Sequence, residues 1–113
     1  MANAKFGRVI TAMITPFTAD GEVDYEGAVT LAKHLVEHGS EGILVGGTTG
    51  EGATMTADEK LKLYAAVVNA VGRNASGKKV PVMGNLGGIS TTESIAFAKK
   101  AVETGIDSGL VIV

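Results

Sequence analysis

The chain has 113 residues, enough for one domain, and its 45% apolar and 4% aromatic content is ordinary for an α/β protein. A formal charge of −2 and the lack of any basic run interleaved with aromatics argue against nucleic acid as a partner, and the absence of cysteine excludes disulfides and thiol chemistry. The apolar runs fall far short of a membrane span and the N-terminus carries no charged-then-apolar leader, so no membrane partner and a cytoplasmic location are expected.

Residues 1–7 read as a tail. Val9-Ile10-Thr11-Ala12-Met13-Ile14 is a mostly apolar run with β-branched residues, which predicts a buried first strand ended by Thr15-Pro16-Phe17. Asp24 then caps a first helix, on which Ala28, Leu31, Ala32, Leu35 and Val36 form one apolar stripe before Gly39 stops it. The second strand spans residues 42–45. After a glycine-rich loop, Thr56 and Glu59 make a capping box for a second helix, whose core face is Tyr64, Val67, Val68 and Val71 and whose end is Gly72.

The third strand is predicted as Val80-Pro81-Val82-Met83, with Pro81 tolerated near its start, and Gly84-Asn85-Leu86-Gly87-Gly88 as the loop after it. Ser90 and Glu93 make another capping box. The third helix should bury Ile95, Ala98, Ala101 and Val102 and end at Gly105, and residues 109–113 read as a fourth strand.

This order is (βα)₃β, with caps at Asp24, Thr56 and Ser90 recurring as the repeat of a strand–helix unit would require. Near-continuous apolar strands predict a parallel sheet covered by helices, and both glycine-rich loops fall at the C-terminal ends of strands, where ligands bind in α/β folds. Val113 ends the chain inside an apolar strand, and four strands are half of a TIM barrel. The sequence is therefore expected to be the N-terminal portion of something longer.

The chemistry concentrates in Gly46-Gly47-Thr48-Thr49-Gly50-Glu51-Gly52, which follows the second strand and runs toward a helix start. Glycines let backbone amides approach a ligand, the threonines add hydroxyls, and the helix start adds a positive dipole end. The loop suits a carboxylate or phosphate, and Thr48 or Thr49 could also pass a proton. It is not a P-loop, because Ala53 stands where lysine is required, nor a dinucleotide fingerprint, because Met55 stands where a third glycine is required. A plain strand-to-helix turn is the simpler reading, and the density of Gly and Thr favours a small anionic ligand over it.

Other polar residues carry less. His34 and His38 have a metal-compatible spacing, but they lie off the apolar stripe near a helix C-terminus with no third histidine, which favours solvated side chains and no metal site. Glu51 is either a general acid–base group or, preferably, a side chain bonding amides of its own loop. The lysines lie on predicted helices (Lys33, Lys60, Lys62, Lys99, Lys100), before the third strand (Lys78, Lys79) or in the tail (Lys5), so none is placed as an amine nucleophile.

The segments Phe6-Gly7-Arg8-Val9-Ile10-Thr11-Ala12-Met13-Ile14-Thr15-Pro16-Phe17, Gly47-Thr48-Thr49-Gly50-Glu51 and Ser90-Thr91-Thr92-Glu93 closely resemble the dihydrodipicolinate synthase family, in order and spacing, from Phe6 onward. That family also contains N-acetylneuraminate lyase and related pyruvate-dependent aldolases. The resemblance implies a (β/α)₈ barrel, of which residues 1–113 are the N-terminal part, usually assembled as a homotetramer. It implies a lyase that joins pyruvate to a lysine as a Schiff base and condenses it with aspartate semialdehyde, toward diaminopimelate and lysine, with no separate cofactor.

In that pattern Thr48 matches a proton-relay threonine that works with a tyrosine from a neighbouring subunit. Thr49 matches the residue that grips the pyruvate carboxylate, with Gly50 beside it, and Ala12 matches a small residue on the pocket floor. The family's tyrosine-rich loop and its lysine lie beyond Val113. The loop after the third strand departs from the family's Ala-Gly-x-Gly, reading Gly84-Asn85-Leu86-Gly87 with Ile89 where an asparagine is usual; Gly52 and Lys60 likewise replace residues that help form the feedback site of lysine-inhibited members, and Glu93 alone matches that site, so lysine inhibition is not expected. The alternatives are a sibling pyruvate-dependent aldolase and a non-catalytic half-barrel that pairs with a second chain.

Overall fold

The computed structural model describes residues 5–112. Their elements are β1 (Ile10–Ala12), α1 (Tyr25–Glu37), β2 (Gly42–Val45), α2 (Ala57–Val71), β3 (Val82–Asn85), α3 (Thr91–Val102) and β4 (Ser108–Leu110), with one 3₁₀ turn at Gly52–Thr54. The four strands form one parallel sheet in the order β1-β2-β3-β4. Right-handed crossovers between successive neighbours place every helix on the same side of the sheet. A doubly wound sheet would instead reverse its strand order and carry helices on both faces. Sequential order with one helical layer is the wall of a TIM barrel, and the (βα)₃β expectation holds.

The core lies between that layer and the sheet. Ile43, Val45 and Val82 from the strands, with Met13 just past β1, share one core with Ala28, Ala32 and Val36 of α1 and Leu63, Tyr64, Val67, Val68 and Val71 of α2. Pairing puts Ala12, Leu44, Met83 and Ser108 on the opposite face, where Ala12 is exposed. The α1 stripe predicted from period 3.6 is the buried face, with Leu31 and Leu35 half-buried at its margin.

The caps show how locally these helices are specified. The Asp24 carboxylate accepts from the Gly27 amide at 2.9 Å. Thr56 and Glu59 satisfy each other's backbone amides in a complete capping box, at 3.1 Å and 2.8 Å. The box expected at Ser90 is only half formed. Ser90 Oγ accepts from the Glu93 amide, but Glu93 returns no bond and stands exposed to water.

Several boundaries differ from expectation. β1 is shorter than residues 9–14, because the ladder ends where the Met13 amide meets the Leu44 carbonyl and the chain then turns through Thr15 and Pro16 to a bridge between Phe17 and Val23. β3 starts at Val82 rather than Val80, since Pro81 has no amide to give, although its carbonyl still accepts from Ile43. β3 also runs through Gly84 and Asn85, which were expected in the loop. β4 is Ser108–Leu110, and the expectation for Val113 lies outside the described residues, as does that for residues 1–4 of the tail.

The expected buried face of α3 is wrong in part. Ala101 is buried, but Ile95 and Val102 are 53% and 67% exposed, and Phe97 turns inward against Tyr64 instead. α3 packs chiefly on α2.

Candidate active site

The site is built at the C-terminal ends of β2 and β3. The chain leaves β2 through Gly46, whose φ of 72° is a left-handed conformation that a side chain would strain. A Cβ there would also lie 2.7 Å from the Tyr64 hydroxyl. The loop then closes on itself. The Glu51 amide donates to the Thr48 carbonyl and the Gly52 amide to the Gly47 carbonyl, both at 3.0 Å, and the Thr54 amide and hydroxyl both donate to the Glu51 carbonyl.

These bonds use the carbonyls of Gly47 and Thr48 but not their amides. Among the described residues the amides of Gly47, Thr48, Thr49 and Gly50 donate to no protein group. Four successive uncommitted donors form a positively polarised stretch suited to a carboxylate or phosphate without any cationic side chain.

Two glycines are also required by packing. A Cβ on Gly52 would collide with the Gly46 carbonyl, and one on Gly50 would approach the Met13 carbonyl to 2.8 Å. Both positions are therefore held small by the packing of the loop on its own backbone and on the end of β1. Beneath the loop, the buried Thr15 hydroxyl donates to the Gly50 carbonyl at 2.6 Å. Glu51 adopts φ 58° and is exposed, and its carboxylate makes no amide bond in the loop. The expected bracing comes from its backbone carbonyl instead.

Thr48 lines a cavity of about 430 Å³ with Gly52, Ala53, Lys60, Asn85, Gly87 and residues farther along the β3–α3 loop. Thr48 and Thr49 are exposed and Gly50 is buried. Ala12 sits on the open face of β1, paired with Leu44, and the Gly50–Met13 contact brings its strand end against the loop. The structure thus gathers Thr48, Thr49 and Gly50 in one loop above the sheet and sets Ala12 on the adjoining open face.

Three residues matter more here than their sequence positions indicate. Tyr64 is fully buried and its hydroxyl donates to the Asn85 carbonyl at 2.6 Å, while burial pushes its phenol well above the usual pKa of 10.0. Its helical spacing marked it only as core. Asn85 is buried at the end of β3, and its side-chain oxygen accepts from the Gly87 amide at 3.2 Å, shaping the second glycine loop. Lys60, assigned only to a helix, shares the cavity with Thr48 and holds its Nζ 4.9 Å from the centre of the Phe97 ring.

His34 and His38 are exposed with rings stacked at 4.1 Å, and among the described residues no group of three ligating side chains gathers for a metal.

Comparison with known proteins bears on this geometry. The model of the dihydrodipicolinate synthetase family matches residues 5–113. A 4-hydroxy-tetrahydrodipicolinate synthase from Symbiobacterium thermophilum is 51% identical over 108 residues, which are 96% of this chain and 35% of the relative. The dihydrodipicolinate synthase structure from Cyanidioschyzon merolae, with lysine bound, matches with a TM-score of 0.88 at 48% identity, over 96% of this chain and 35% of that one. A prophage protein of the dihydrodipicolinic acid synthase family from E. coli K12, in complex with pyruvate, matches with a TM-score of 0.85 at 30% identity, over 96% and 35% of the two chains. The chain spans about 35% of the length of these relatives.

Proposed function

The chain belongs to the dihydrodipicolinate synthetase family, and from that premise we propose that residues 1–113 are the N-terminal part of a single (β/α)₈ barrel domain with 4-hydroxy-tetrahydrodipicolinate synthase activity. In this reading the full-length enzyme forms a Schiff base between pyruvate and a lysine outside these residues and condenses it with aspartate semialdehyde. In the same reading it acts in the cytoplasm as a homotetramer, and a neighbouring subunit supplies the tyrosine of the proton relay.

The observation that carries the reading is the run of uncommitted amides from Gly47 to Gly50 at the C-terminal end of a parallel strand, with Thr48 facing the adjacent cavity. A keto-acid carboxylate placed there gains several charge-assisted hydrogen bonds at once. Thr49 contributes its amide and hydroxyl to that grip, and Gly50 extends it. Fixing the carboxylate orients the carbonyl carbon for attack by an amine, which is a gain in effective concentration rather than in bond polarisation. Thr48, one residue nearer the strand, hands a proton to and from the carbon–nitrogen centre. Ala12 leaves room on the pocket floor where a larger side chain would displace the substrate.

Reduction of the imine tests the reading. Borohydride with pyruvate should leave a stable secondary amine on a lysine beyond residue 113 of the full-length protein, and aspartate semialdehyde should turn over in its absence. An adduct without turnover of that aldehyde would assign a sibling aldolase. No adduct at all would leave a non-catalytic half-barrel module.

A further inference from the structure

The β2–β3 ladder stops one rung early. In this parallel pairing the Ile43 amide donates to the Pro81 carbonyl at 3.0 Å, and the register Ile43–Val82, Val45–Gly84 sets the following rungs two residues apart. The next rung joins Val45 to Met83, and the one after would join the Gly47 amide to the Asn85 carbonyl. That last bond is not made. The Asn85 carbonyl accepts from the Tyr64 hydroxyl instead, at 2.6 Å. The Gly47 amide, in a buried residue, then has no partner among the described residues.

The surroundings are shaped for this substitution. Tyr64 rises from α2 fully buried, and a Cβ on Gly46 would lie 2.7 Å from its hydroxyl, while one on Gly84 would lie 2.8 Å from its ring. Gly46, just past the end of β2, and Gly84, paired with Val45 on β3, leave the slot that admits the ring. The edge of Phe97, with centroids 6.2 Å apart, closes it from α3.

We propose that Tyr64 is a positioning residue for the anion-binding loop: by taking the Asn85 carbonyl, its hydroxyl releases the Gly47 amide from the sheet and opens the run of donors that continues through Gly50. This rests on the functional reading above. A phenylalanine at this position keeps the ring and frees the carbonyl, so the ladder closes by its ordinary rung and the loop loses its first donor.

The test uses the full-length protein. Tyr64→Phe should raise the pyruvate KM about tenfold, the value of one hydrogen bond to a charged group, with kcat changed by less than about twofold. Hydrogen exchange of the segment containing Gly47 should slow in the unliganded variant, because a free amide has become a ladder amide. In the unmutated protein the same segment should exchange fast and become protected when pyruvate is added; absence of that protection overturns the proposal even if the variant does not fold. Thr49→Val separates the two levels of inference. If it raises the pyruvate KM while Tyr64→Phe does not, Tyr64 is a core residue only and the functional reading stands. If neither variant moves KM, the loop is not the carboxylate site and the positioning role falls with it.

Discussion

Thr15 and Gly50 are tied by a buried hydrogen bond, hydroxyl to carbonyl, at 2.6 Å across 35 positions of sequence. It is the side-chain bond that fastens the exit of β1 to the loop following β2. Thr15→Val keeps the shape of the side chain and strands the Gly50 carbonyl in a dry site. Loss of about 1–3 kcal/mol is expected from denaturant unfolding, with Thr15→Ser recovering most of it. The pyruvate KM should rise in the valine variant, since Gly50 carries one of the free amides. A valine variant as stable as the parent would show that water replaces the bond.

Gly52→Ala tests the loop from its other end. The new methyl would occupy the space of the Gly46 carbonyl, and backbone cannot rotate away as a flexible side chain would. The segment between them must open, displacing Thr48 and Thr49. A fall in kcat/KM of about tenfold or more is expected, because small misplacements near reacting groups are costly. Gly77→Ala, at an exposed position with open space around it, should leave steady-state kinetics unchanged and serves as the control.

The two threonines should separate in their kinetics. Thr49→Val removes a hydroxyl that the proposed reading places on the pyruvate carboxylate, and should act on the pyruvate KM. Thr48→Val removes the hydroxyl to which the proposed reading gives the proton transfer, and should act on kcat. Equal, trivial effects of both would remove this loop from the mechanism.

Much of this arrangement is legible in the sequence because it is local. Asp24, Thr56 and Ser90 mark helix starts by caps that span three residues, and Ala28, Ala32 and Val36 mark a buried face by spacing alone. The loop at 46–52 announces itself by composition. What the sequence does not show depends on partners far along the chain. Ile95 and Val102 look like core by period, yet whether they are covered depends on what packs outside α3, which no local rule specifies. The box at Ser90 has the same residue types as that at Thr56, and only the direction taken by the Glu93 side chain separates them. Tyr64 reads as core, which it is, but its hydroxyl acts 21 residues away, at a ladder rung that exists only once the register is known.

That hydroxyl also makes a pH prediction with a definite sign. Burial first of all pushes the Tyr64 phenol above 10.0, its ordinary value, so the folded state holds its proton more tightly than the unfolded state. The contribution is fully present below pH 10 and is lost as pH rises from there toward the folded value, where the unfolded chain releases its proton first. Tyr25, shifted the same way chiefly by burial and then by Glu59 and Glu22, adds to the trend. Comparison of the parent with Tyr64→Phe isolates the buried phenol. The stability difference between them should change above about pH 10 and stay flat below it. A difference independent of pH across that window would mean the phenol ionises alike in both states.

Lys60 bears on regulation. It lines the cavity that holds Thr48 and Gly52, and also a second cavity of about 320 Å³ between α2 and α3 that holds Glu93 and Lys100. Of these, Gly52, Lys60 and Glu93 stand at the positions where the family resemblance places a feedback site. The arriving diamino acid carries two ammonium groups and one carboxylate and would meet the same set in Lys60, Lys100 and Glu93, so its carboxylate and one ammonium find partners but one like-charge pair is left over. The full-length enzyme should therefore keep its activity at lysine concentrations that saturate an inhibited relative, and calorimetry should record no binding heat. Inhibition of the unmutated enzyme, with kcat falling as lysine is added, would show that Lys60 swings clear of the cavity and that Glu93 suffices to recognise the ligand.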